Sequence, residues 1–144
     1  MPFVAVSIAE EKQFSDILGK CWEGNSHPDM SGCVAKHAKE SRQDLERFER
    51  QLRHAITETE EGGGFTRAHA LESFVAGVKA FTEYRRQQCG YVSALASMGN
   101  GAEDNRLGCE AQLNLERIAQ LKATYHWVAP PSLPNKSLER TRAR

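Results

Sequence analysis

Between Val34 and Ile56 the small and apolar positions fall at alternating spacings of four and three: Val34, Ala38, Ser41, Leu45, Phe48, Leu52 and Ile56 (or Ala55), with charged residues filling the rest of the surface. That heptad spacing tracks the turn of an α-helix, so the segment is a long amphipathic rod that must lay its stripe against another element. Ser26, Pro28 and Asp29 supply a start signal. At the other end Glu58, Glu60 and Glu61 run into Gly62-Gly63-Gly64, and three glycines extend a helix only at high cost. From about Asp29 to Glu60 the rod is roughly 45–50 Å long at 1.5 Å per residue.

The same periodicity predicts three more helices. Ser7 and Glu10 form a capping-box pattern ahead of Phe14, Ile17, Leu18 and Trp22, which places a first helix over about Ser7 to Trp22, ended by Gly24-Asn25-Ser26. A third runs from Thr66 or Arg67 toward Leu95, with Leu71, Phe74, Val75, Val78, Phe81, Tyr84, Val92 and Leu95 facing inward and Gly90 as a weak point. Ser97 to Asn105 reads as a polar, glycine-containing loop. The fourth helix spans about Leu107 to Tyr125, on Ala111, Leu115, Ile118, Leu121 or Lys122, and Tyr125. No segment shows the period-two alternation of a half-buried strand. The expectation is therefore all-α: an antiparallel bundle of about four helices over residues 1–129. Pro130, Pro131 and Pro134 open a basic tail over residues 130–144, expected to be disordered.

Charge narrows the function classes. Lysine plus arginine and aspartate plus glutamate both total 19, for a net charge of zero. A nucleic-acid binder of this size needs a basic surplus to neutralise phosphates, so DNA and RNA are not expected partners. No apolar run approaches the roughly 20 residues that span a bilayer. The start, Met1-Pro2-Phe3-Val4-Ala5-Val6-Ser7-Ile8-Ala9, lacks a basic residue ahead of a short apolar run, so an export signal is absent, removed or upstream.

The cysteines are Cys21, Cys33, Cys89 and Cys109. An even number in a small chain points to disulfides in an oxidising compartment, with free buried thiols as the other reading. No pair has the close spacing of a zinc site. Four cysteines permit three connectivities. Proximity in the chain favours Cys21 with Cys33 and Cys89 with Cys109, each pair stapling a helix–loop–helix corner at about 3 kcal/mol in the chain-entropy model.

Ala80-Phe81-Thr82-Glu83-Tyr84-Arg85-Arg86-Gln87-Gln88-Cys89 resembles the aromatic-x-x-Tyr-Arg-x-x-x-Cys motif of the LprI-type lysozyme inhibitor-like proteins. Their first aromatic is usually tryptophan; here it is Phe81. Their Cys-x-x-x-Leu-Thr-x-x-Arg-x-x-x-Leu helix is matched by Cys109, Leu113, Asn114, Arg117 and Leu121, with Asn114 in place of threonine. Cys21 and Cys33 match the earlier cysteine pair, and Met30 precedes Cys33 by three. The likeness covers about residues 20 to 122. It departs in the long helix, where Asp-x-x-Leu-Asn-x-x-Tyr is usual and only Leu45 of Arg42 to Glu49 is retained. The resemblance implies a periplasmic or secreted helical protein and, in some members, an inhibitor of lysozyme. No lipid-acceptor cysteine follows a signal.

Candidate residues follow from both lines. Phe81, Tyr84, Arg85, Leu113, Arg117 and Leu121 are read as structural family-motif positions, each arginine anchoring a carboxylate or helix-end carbonyls, with Asp44 as a candidate partner. Asn100, Glu103, Asp104 and Asn105 form the candidate partner-binding loop, restrained by Cys89 and Cys109 and suited to a basic partner. His27, His37, His54, His69 and His126 form no i, i+4 pair with one another, and none is read as standing beside a cysteine at ligand spacing, so no metal or other cofactor is expected. Lys136, Arg140, Arg142 and Arg144 read as a solvated appendage around Glu139. No nucleophile elbow, phosphate loop or Glu-x-x-His pair is present, so no enzyme is expected. Two functions remain: a protein that occludes lysozyme or another cell-wall hydrolase, or a non-enzymatic interaction module of the cell envelope with a different partner, such as an immunity protein or a scaffold dimerised through the Val34-to-Ile56 stripe; the chain is expected as monomer or dimer.

Overall fold

The computed structural model describes residues 12–24, 26–96, 99, 101–125, 127 and 128. The capping box at Ser7 and Glu10, Asn100, His126 and the tail from Pro130 lie outside the described residues. The chain forms four helices: α1 (Lys12–Trp22), α2 (His27–Glu58), α3 (Arg67–Leu95) and α4 (Ala102–Tyr125). Among the described residues there is no strand, only an isolated bridge between Gly62 and Phe65. The all-α expectation holds.

The helices alternate in direction, and α4 is the hub, packed against α1, α2 and α3. The α2 stripe does what its spacing demands: Val34, Ala38, Ser41, Leu45, Leu52 and Ile56 are all buried. Much of that burial is against α4, with Leu121 joining Leu45, Leu52 and Ile56, and Phe48, Phe74, Phe81 and Ile118 packed around them. The stripe is thus consumed inside the chain and is not free to dimerise. A second cluster joins Ile17, Ala38 and Ala111, where small side chains let three helices approach. Gly108 serves the same end, since a Cβ there would lie 3.2 Å from Leu18.

The turn after α2 needs its glycines. Gly62, Gly63 and Gly64 all have positive φ, of 151°, 58° and 88°, a region that side chains with a Cβ rarely occupy. Arg67 closes this end by donating to the Thr59 carbonyl at 2.9 Å, and the Thr59 hydroxyl donates to the Val128 carbonyl at 2.6 Å.

Helix α3 departs from the expected pattern. Val75, Tyr84 and Leu95 are exposed rather than inward, at 45%, 53% and 67%. The helix packs mainly along α4 and, less extensively, α2. Its inward row runs Phe74, Val78, Phe81, Arg85 and Cys89, so an arginine holds a place that an apolar pattern assigns elsewhere, and of these Cys89 alone is fully buried. Leu115 and Tyr125 of α4 are likewise exposed. Gly90 does not interrupt α3, which continues to Leu95.

Candidate functional site

Both disulfides form with the within-corner pairing. Cys21 bonds Cys33 and Cys89 bonds Cys109, each with Cα atoms 5.5 Å apart. Because α1 and α3 end where α2 and α4 begin, the two bridges hold the same end of the bundle. Cys21, Met30 and Val34 pack there with Leu18 and Leu107.

The α3–α4 connection is shorter than the polar composition of Ser97 to Asn105 suggests. Helix α4 begins at Ala102, so Glu103, Asp104 and Asn105 belong to its first turn. Acidic side chains are favoured there by the partial positive charge of a helix N-terminus. The Gly101 carbonyl accepts from both the backbone N–H of Asn105 at 2.9 Å and its side-chain amide at 2.8 Å. Glu103 is exposed and paired with Arg106, whose hydrogen bonds hold its carboxyl below the usual carboxylate range. Asp104 instead points inward and is only 4% exposed. It accepts from the Ser31 hydroxyl at 2.9 Å and lies 3.5 Å from His27 Nε2.

Asp104 lines a cleft of about 650 Å³ between the two stapled corners, walled by Leu18, Trp22 and Met30, with His27, Gly101 and Asn105 at its polar side. Two residues of the expected loop, Asp104 and Asn105, are thereby brought against the α1–α2 corner. The cleft itself was not foreseeable from spacing, because it depends on how α1 seats on α4.

The family-motif residues sit elsewhere, midway along the bundle. Arg85 Nη1 donates to Asn114 Oδ1 at 2.5 Å; Asn114 donates to the Ser41 hydroxyl at 3.1 Å, and Ser41 donates to the Ala38 carbonyl. This chain ties α3, α4 and α2 together and explains a serine within the α2 stripe. Asp44 is not the partner of Arg85 or Arg117: it faces outward and pairs with Arg47 at 2.5 Å. Arg85 and Arg117 stand over the Phe81 ring, 5.5 and 5.6 Å from its centroid, at cation–π distance. Tyr84 is exposed, Leu113 half-buried and Leu121 buried.

Burial pulls the Arg85 guanidinium down from its ordinary value, aided by Arg42 and opposed by Glu110, Glu49 and Glu46. Burial raises the Glu49 carboxyl, outweighing the lowering by Arg117 and Arg85. A second polar cluster, missed by sequence reasoning, centres on the buried Glu110, which accepts from Arg42 at 2.6 Å and from Arg106. The Arg106–Glu110 spacing of four is a signal that the pattern of charges did contain.

One histidine needs correcting. His37 follows Cys33 by four residues, and its ring lies with Cys21 and Cys33 inside a group whose ligand atoms are within 4.8 Å of one another. The i, i+4 spacing was legible in the chain. In this structure both sulfurs are bonded to each other.

The protein defined here is a disulfide-stapled helical bundle whose described helices are none of them long and apolar enough to cross a membrane. The chain belongs to the family described as lysozyme inhibitor LprI, matching it over residues 21–121, a span that takes in both bridges and the Arg85–Asn114–Ser41 chain. No curated protein and no solved structure matches it.

Proposed function

We propose that this protein is an extracytoplasmic, non-enzymatic inhibitor that blocks lysozyme or a related cell-wall hydrolase by direct contact through the stapled end of the bundle. Family membership over residues 21–121 carries the reading. The two disulfides support an oxidising compartment. They also support a preformed docking surface, since bridges at both corners reduce the ordering cost of binding. Of the expected loop residues, Glu103, Asp104 and Asn105 stand at that end, and Glu103 offers an exposed acidic group to a basic partner.

The test is lysis of cell-wall substrate by lysozyme, followed as turbidity with the oxidised protein in excess. Slowed clearing, with complex formation by calorimetry, is the expected result. Unchanged clearing and no heat of binding rule out lysozyme as the target. The alternative of a scaffold dimerised through the stripe loses its main support, because that stripe is buried within the chain.

A further inference from the structure

We propose that the cleft between Trp22, Met30 and Asp104 is an anchor pocket for one lysine or arginine side chain of the partner protein. The proposal rests on the inhibitor reading for the partner's identity, but the pocket's preference for a cation stands on its own geometry.

The walls are apolar and the floor is not. Leu18, Trp22 and Met30 offer hydrocarbon and an indole face, and the volume, about 650 Å³, accommodates a long side chain. Among the described lining residues Asp104 is the one acid, and none of them is a lysine or arginine. Beyond the partial charge of the α4 N-terminus, its side-chain contacts supply no permanent countercharge: Ser31 is a neutral hydroxyl, and His27, half-exposed at 3.5 Å, supplies a positive charge only when protonated. The nearby Arg106 is committed to Glu103 and Glu110. The Asp104 carboxylate is held at 4% exposure, and a cation that reaches a largely buried carboxylate interacts with it more strongly than with one in open solvent. An aliphatic stem on Leu18 and Met30, a cationic head toward Asp104 and an aromatic wall at Trp22 would cover the mouth of the cleft and exclude water from it, as around the basic hot spots of protein interfaces. A hydrated metal ion suits it poorly, because most of the lining offers no donor atom.

The experiment is an NMR titration of the ¹⁵N-labelled, oxidised full chain with n-butylguanidinium, and with uncharged N-butylurea as a control of the same shape. Saturable shifts at the Gly19, Gly101 and Asn105 amides are expected, with the cation bound at least tenfold more tightly than the urea. Asp104→Asn is expected to bring the two probes within about twofold of each other. Trp22→Ala, a change at an exposed position, is expected to weaken both. Equal affinities in the unaltered chain, or shifts confined to other residues, overturn the proposal. Should Asp104→Asn fail to fold by circular dichroism, the butylguanidinium-to-butylurea ratio in the unaltered chain and the Trp22→Ala titration decide the matter. In the clearing assay both variants are expected to lose inhibition at least tenfold, and full inhibition by folded variants overturns the anchor. Cation selectivity in a chain that leaves lysozyme untouched overturns the lysozyme reading alone.

Discussion

Asn114 is fully buried and polar, with the Arg85 guanidinium on one side and the Ser41 hydroxyl on the other. Removing its amide takes away the Asn114 acceptor from the Arg85 guanidinium and the Asn114 donor from the Ser41 oxygen, while Ser41 keeps its bond to the Ala38 carbonyl. Asn114→Ala is therefore expected to cost about 2–3 kcal/mol, seen as a lower urea midpoint at unchanged slope. Asn114→Thr, the residue usual in the resembling proteins, keeps one oxygen for Arg85 and should fall between. Glu49 makes the opposite argument. Its carboxyl is raised above its ordinary value by burial, so the folded chain binds that proton more tightly than the unfolded chain does. The resulting contribution is full below the unfolded value and is lost as pH climbs through the raised one. Glu49→Gln, neutral throughout, is expected to flatten the fall in melting temperature from mildly acid to neutral pH. An unaltered slope in calorimetric scans would contradict this. Asn114 stood out only as a departure from the usual threonine and Glu49 not at all, because their roles depend on the register between helices, which periodicity does not supply. Arg85 stood out, but its partner was misplaced for the same reason: Asp44 is near in pattern and far in orientation.

At the scale of elements, α2 was the most legible. A 32-residue helix with a clean stripe admits one buried face, and the structure buries it. Helix α3 was legible in extent, to within a residue of its start, but not in facing. Its apolar residues are spread around the circumference, and it has too few neighbours to cover them all. The start of α4 was hidden because glycine and acidic residues describe a loop and a helix N-terminus equally well. The disulfide pairing followed from the placement of the cysteines at helix ends. The chain-entropy model gives about 3 kcal/mol per bridge and depends on the logarithm of loop length. With separations of 12 and 20 residues, replacing Cys89 and Cys109 by serine should cost roughly half a kcal/mol more than replacing Cys21 and Cys33. Urea unfolding of the two double variants checks the order.

For the molecule as a whole, family and fold could be read from motif and periodicity, while the cleft could not, since it belongs to three helices at once. Both bridges lie at one pole, and the opposite pole depends on the Gly62–Gly64 turn and contacts such as Thr59 with Val128. Each bridge also stays on its own side of that turn, so no sulfur bond crosses from the first two helices to the last two. A protease site inserted at Gly63 and cut under oxidising conditions should thus yield two fragments that separate on a denaturing gel without reductant. In native buffer the same pieces should travel together, gripped by packing without covalent bonds, chiefly the α2–α4 seam with the smaller α1–α4 and α2–α3 contacts. Nicked at its soft tip, one polypeptide becomes a two-chain complex, and the strength of that packing becomes a dissociation constant that can be measured directly.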